Sequence, residues 1–144
     1  MYEKLPEQLK KDGRFCLWKY EERNGRMTKV PYQTNGRKAS SADKNTFSDF
    51  RLAVNAMDGY DGIGMGAFDD FCMVDIDHCV FGGKMTQMAE DIVERMDSYT
   101  EFSPSGTGAR IVCKASSLSY DTGRYYINNQ KLGLEIYAAG VTKK

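Results

Sequence analysis

The stretch Phe71-Cys72-Met73-Val74-Asp75-Ile76-Asp77-His78-Cys79 constrains the fold more than any other part of the chain. An apolar run that passes into an Asp-Ile-Asp alternation predicts a strand with a buried interior and a charged end. Successive side chains of a strand point to opposite faces, so Asp75 and Asp77 share one face while Val74 and Ile76 point into a core. Two residues along a strand amount to about 7 Å. Carboxylates that close repel unless positive charge lies beside them, and hard divalent cations take oxygen ligands of this kind. On spacing alone, a metal site and a plain turn at a strand end both fit.

The rest of the chain supplies partners for that strand. Leu5-Pro6-Glu7-Gln8-Leu9 reads as a short opening helix with Pro6 in its first turn. Arg14 to Tyr20 and Met27 to Tyr32 read as strands joined by a tight turn at Asn24-Gly25, and a looser turn follows at Thr34-Asn35-Gly36. Phe47, Phe50, Val54 and Met57 recur at helical spacing, which predicts a helix from Thr46 to Met57 with Thr46 as its N-cap. Gly62 to Phe68 is a Gly-rich strand that turns at Asp69-Asp70 into the Asp-Ile-Asp strand. Met85 to Met96 forms a second amphipathic helix, with Met88, Ile92 and Met96 along its buried stripe. Three further extended pieces follow, Thr100 to Phe102, Ala109 to Cys113 and Leu132 to Tyr137. Strands and helices in this order predict one α+β domain over residues 1–144, a mixed or antiparallel sheet flanked by helices.

Hydrophobic content of 41% and charged content of 28% suit a soluble globular protein. No apolar run approaches membrane-span length, and Met1-Tyr2-Glu3-Lys4 does not read as a signal peptide. Cys16, Cys72, Cys79 and Cys113 show no CxxC spacing and are expected to be reduced thiols, which implies a cytoplasmic setting. The net charge of zero conceals a division: residues 1–45 carry +5, residues 46–101 carry −9 and residues 102–144 carry +4. An acidic middle between basic ends suits a carboxylate metal site facing a polyanion, and it equally suits solvated surface charge.

Two other segments carry candidate chemistry. In Ser103-Pro104-Ser105-Gly106-Thr107-Gly108-Ala109-Arg110, Gly106 and Gly108 flank Thr107 and let backbone N–H groups approach a ligand, with hydroxyls from Ser105 and Thr107. Arg110 adds a permanent charge with bidentate phosphate geometry. No Lys-Ser/Thr follows at the Walker A offset, and a hairpin turn with Gly at positive φ explains the segment as well. In Gly133-Leu134-Glu135-Ile136-Tyr137, Glu135 projects from an otherwise apolar strand. It is a surface residue unless that strand lies beside the one carrying Asp75.

Taken in order, these blocks resemble the amino-terminal primase-polymerase domain of phage and plasmid replication proteins, a branch of the archaeo-eukaryotic primase superfamily. The matching residues are Phe15–Arg23, Thr28–Tyr32, Gly36–Ser41, Gly59–Gly64, Val74–Cys79, Ser98–Glu101, Ser103–Gly108 and Gly133–Tyr137. The resemblance implies a template-dependent nucleotidyltransferase for primer synthesis in the cytoplasm of a bacterial host. Its catalytic residues would be Asp75, Asp77 and Glu135, holding two Mg²⁺ or Mn²⁺ ions in a two-metal displacement. Ser105, Gly106, Thr107, Gly108 and Arg110 would bind the incoming nucleoside triphosphate. Lys29, Arg37 and Lys38 would contact single-stranded nucleic acid, although lone basic residues serve solubility equally well. Zn²⁺ is a further expectation if the chain bends after Asp77 to bring in His78, the only histidine, and the softer Cys79. Packing is the other reading of Cys72 and Cys79.

Two departures from the family pattern bear on function. The motif is normally Ser-Gly-Thr-Gly-x-His, with the histidine contacting nucleotide, and here Arg110 stands at that position. Arginine keeps positive charge but is no acid or base near neutral pH. The family also continues past the Glu135 strand with a further aromatic strand, whereas this chain reaches only Lys144. The expectation is a truncated domain with an open sheet edge. These departures support an alternative: a catalytically degenerate phage protein that binds and blocks a host nucleic-acid-guided defence nuclease, in the manner of an anti-CRISPR.

Overall fold

The structure is a computed structural model, and it describes residues 2–115 and 127–137. These fall into two compact units, one ending at Phe68 and the other beginning at Asp69. No helix among the described residues is long and apolar enough to cross a membrane.

In the first unit, helix α1 (Glu7–Asp12) precedes strands β1 (Phe15–Arg23) and β2 (Arg26–Tyr32). They form a hairpin whose turn residues Asn24 (φ 53°) and Gly25 (φ 77°) both have positive φ, as a two-residue turn matching strand twist requires. Helix α2 (Phe50–Asn55) and strand β3 (Gly62–Met65) complete the unit, and the sheet order is β2-β1-β3 with both pairings antiparallel. Alternation places Phe15, Leu17, Val30 and Tyr32 in one core with Ala53 of α2, and Phe50, Ile63 and Met65 pack against them.

Helix α2 is shorter than its apolar spacing predicts. Ser48 exchanges both backbone hydrogen bonds with Phe15, at 2.8 Å each, so it is committed to extended pairing. The helix therefore starts after Asp49, whose carboxylate caps it by accepting from the Leu52 N–H at 2.8 Å. Thr46 is not a cap. It closes a single 3₁₀ turn, Lys44–Thr46, and its hydroxyl donates to the Ser40 and Asp43 carbonyls.

The second unit holds β4 (Phe71–Ile76), the two-residue strands β5 (Val80–Phe81) and β6 (Lys84–Met85), helix α3 (Gln87–Met96), β7 (Tyr99–Phe102), β8 (Ala109–Lys114), β9 (Ile127–Asn129) and β10 (Leu134–Tyr137). Its main sheet has the order β7-β8-β4-β10-β9, antiparallel throughout, so the strand carrying Asp75 lies at the centre. The fold class is α+β, as the order of elements predicts. β9 covers the outer side of β10, so the Glu135 strand is not an edge.

α3 packs on one face of this sheet. Val74, Ile76, Ala109 and Ile111 form its buried core with Ala89, and Met88, Ile92, Val93, Leu134 and Ile136 pack against them. The predicted stripe holds for Met88 and Ile92, but Met96 is exposed, because the helix ends there at Asp97 in the left-handed region (φ 44°). All four cysteines are free thiols, with Cys16, Cys72 and Cys79 buried.

Two glycines hold neighbouring chain against the end of β4. A Cβ on Gly108 would meet the Ile76 carbonyl oxygen at 2.8 Å, and one on Gly133 (φ 67°) would meet the Asp77 carbonyl oxygen at 2.7 Å. Gly133→Ala therefore combines a steric conflict with backbone against positive-φ strain. It is expected to lower stability by about 2 kcal/mol, read as a fall in the urea midpoint at constant m-value. An unchanged midpoint would show that the Asp77–Gly133 contact is not as tight as described.

Candidate functional site

Antiparallel strands bring residues in direct register onto the same face. Glu101 of β7 lies opposite Arg110 of β8, Arg110 opposite Asp75 of β4, Asp75 opposite Glu135 of β10, and Glu135 opposite Asn128 of β9. Val74 and Ile76 face α3, so this row occupies the other face. The sheet thus joins Asp75 and Glu135, the two acids that the sequence places in separate segments.

The dominant contact in the row is an ion pair. Arg110 Nε donates to Asp75 Oδ1 at 2.6 Å and Nη2 donates to Asp75 Oδ2 at 3.0 Å, the bidentate fork that suits a carboxylate. The Asp75 side chain is 18% exposed and that of Arg110 39%. Burial works against the Arg110 charge. The hydrogen bond and charge of Asp75, helped by Glu101 and Tyr137, outweigh it and raise the guanidinium above its ordinary value. Glu101 also accepts from the Tyr99 hydroxyl at 2.9 Å, and burial first, then that bond and charge, push the Tyr99 phenol up to about 12.

Asp77 lies one residue past the end of β4, exposed, with its N–H donating to the Gly133 carbonyl at 2.8 Å. The chain then bends at His78 (φ 52°), as a zinc reading would need. Cys79, however, turns into the core. Its Sγ donates to the Ile76 carbonyl at 3.3 Å, and burial raises its thiol pKa. Among the described residues, no three His, Cys, Asp or Glu side chains gather as a metal-binding group. Both Asp75 oxygens are engaged by Arg110, while Glu135 lies opposite Asp75 in register and Asp77 follows the strand end.

The Ser103–Gly108 segment is the β7–β8 hairpin loop, turned at Gly106 (φ 75°). Its hydroxyls form a chain, Ser103 Oγ to Ser105 Oγ at 3.0 Å and Ser105 Oγ to Thr107 Oγ1 at 2.8 Å. The Gly106 N–H donates to the Ser103 carbonyl and the Gly108 N–H to Ser103 Oγ, at 2.8 and 2.9 Å. The Thr107 carbonyl accepts from the N–H groups of Cys79 and Val80 at 2.9 and 3.1 Å, which fastens the loop beside the end of β4. Much of its donor capacity is thus spent within the protein.

The basic residues Lys29, Arg37 and Lys38 belong to the first unit and are exposed, with the Lys29 ammonium 4.8 Å from the Trp18 ring centroid. Glu101 is the member of the row that residue spacing did not single out. Folding β7 onto β8 about Gly106 would have located it, since the hairpin sets Glu101 opposite Arg110.

No family model matches the chain. Over 139 residues it is 31% identical to the DNA primase-polymerase of Nitratiruptor phage NrS-1, a match that takes in 92% of this chain. The primase-polymerase resemblance is thereby shown. The chain spans 19% of that relative's length. Within the primase-polymerase frame, Arg110 is both the departure from the motif histidine and the partner of the first motif aspartate.

A double-mutant cycle of Asp75→Ala and Arg110→Ala measures the pair. With solvent screening on the Arg110 side, a coupling of about 1–2 kcal/mol in urea unfolding is expected. A coupling indistinguishable from zero would contradict the described fork.

Proposed function

We propose that this chain is a nucleotide- and single-stranded nucleic-acid-binding domain of the primase-polymerase type, serving replication, and that it does not carry out template-dependent synthesis by itself. The similarity to a phage DNA primase-polymerase over 92% of the chain supports the replication role. The observation that carries the reading is the Arg110–Asp75 fork. A guanidinium on Asp75 leaves the carboxylate row suited to electrostatic organisation of the sheet end rather than to two-metal displacement. The Ser103–Gly108 hairpin, with exposed Ser105 and Thr107 hydroxyls, is the surface assigned to phosphate, and Lys29, Arg37 and Lys38 are assigned to nucleic-acid backbone.

Fluorescence anisotropy with a labelled single-stranded oligonucleotide, together with melting-temperature shifts on adding nucleoside triphosphate, tests this reading. Binding that weakens as salt rises is expected, with Lys29→Ala/Arg37→Ala/Lys38→Ala lowering affinity across all sequences and flattening the salt dependence. No labelled nucleotide should be incorporated on a template with Mg²⁺ or Mn²⁺. Absence of oligonucleotide binding at low salt would overturn the binding role, and robust incorporation would overturn the claim of inactivity.

A further inference from the structure

Two of the cysteines stand directly across a strand pair. Cys72, second residue of β4, lies opposite Cys113, second from the end of β8, and alternation puts both on the side where Val74 and Ile111 form the core. The Ala115 N–H donates to the Asp70 carbonyl at 2.8 Å, just beyond these strand ends. Opposed pairs alternate between bonded and non-bonded, so Cys72–Cys113, two residues further in, is a hydrogen-bonded pair. Its Cα atoms are then about 5.5 Å apart, inside the roughly 4.4–6.8 Å that a disulfide spans. Both are free thiols, Cys72 buried and Cys113 half-buried. Burial raises the Cys113 thiol above its ordinary value, and the neighbouring Cys72 adds to that rise. Cys79 lies past the other end of β4 with its Sγ on the Ile76 carbonyl, and Cys16 belongs to the first unit.

We propose that Cys72 and Cys113 form a reversible dithiol–disulfide site that is oxidised by hydrogen peroxide and, once oxidised, ties β4 to β8. The Cys113 thiolate, the more accessible of the two, attacks one peroxide oxygen. The O–O bond breaks, Cys113 becomes a sulfenic acid, and the departing hydroxide leaves as water with the thiol proton. The Cys72 sulfur then attacks the sulfenic sulfur, the S–O bond breaks, and a second water leaves with the Cys72 proton. Two thiols and one peroxide thus give one disulfide and two waters. The geometry also makes the bond easy to reopen. Opposed Cβ atoms on antiparallel strands lie about 4.5–5.5 Å apart, and a disulfide brings them to about 3.8 Å. Closure therefore draws the strand ends together, and a strained disulfide is a labile one. The bridge joins the same two strands that set Arg110 against Asp75, so it fixes the register on which that fork depends.

Treating the reduced full chain with hydrogen peroxide, alkylating the remaining thiols and mapping peptides by mass spectrometry tests this. Wild type should lose two hydrogens in mass, keep Cys16 and Cys79 alkylatable, and yield a peptide joining Cys72 to Cys113. Reduced glutathione should restore both thiols without denaturant. In Cys72→Ser, dimedone should label Cys113 as a trapped sulfenic acid, whereas Cys16→Ser/Cys79→Ser should bridge as wild type does. The wild-type map needs no substitution, so it decides the matter even where a variant fails to fold. A bridge between any other cysteines would overturn the proposal, as would Cys113 passing to sulfinic acid in wild type while Cys72 stays alkylatable. Retention of all four thiols at peroxide doses that oxidise free cysteine would overturn it too, and so would a bridge that glutathione opens only in denaturant.

Discussion

The bidentate contact between Arg110 and Asp75 organises the charged row on the face of the second unit's sheet that turns away from α3. Asp75 sits on the central strand of a five-stranded sheet, with Glu135 in register on one side and Arg110 on the other. The α3 side of the same strands is apolar and needs no charge balance. The other side carries Glu101, Arg110, Asp75 and Glu135 in direct register. Arg110 balances Asp75 there, and it is held by covalent connection rather than by binding equilibrium. The role of the whole row follows from this choice.

Around that pair, the end of β4 is held by backbone rather than by side chains. The Thr107 carbonyl accepts from Cys79 and Val80, Asp77 donates to Gly133, and Gly108 and Gly133 admit their loops to within van der Waals reach of Ile76 and Asp77. A glycine in a phosphate-type loop sequence is usually credited to ligand approach. Here Gly108 serves the approach of the protein's own chain, and the hydroxyls of Ser103, Ser105 and Thr107 bond to one another. The same residues that suggest a phosphate cradle thus also build a self-contained hairpin.

Much of the fold was legible because it is local. Asn24-Gly25 announced the β1–β2 hairpin, an apolar run passing into Asp-Ile-Asp marked β4, and the Leu134-Glu135-Ile136 alternation marked β10. What was illegible depended on distant partners or on weak patterns. The start of α2 is fixed by the pairing of Ser48 with Phe15, which no helical periodicity reveals. β5 and β6 have two residues each, and Ile127-Asn128-Asn129 of β9 carries no apolar alternation. In the site, Glu135 gained meaning only from the family resemblance, which set it beside Asp75. Arg110 was legible as a cation but not as the partner of Asp75. A guanidinium matches phosphate and carboxylate alike, and the choice rests on a β4–β8 register that joins residues 35 apart in sequence.

The most direct measurement is the side-chain ¹⁵N spectrum of the arginines at neutral pH, with and without Mn²⁺. An Arg110 Nε–H held between guanidinium and Asp75 should give a sharp, slowly exchanging signal that Mn²⁺ does not broaden and that disappears in Asp75→Asn. An Arg110 signal that exchanges with water as fast as that of exposed Arg26, or that substoichiometric Mn²⁺ broadens, would contradict the account.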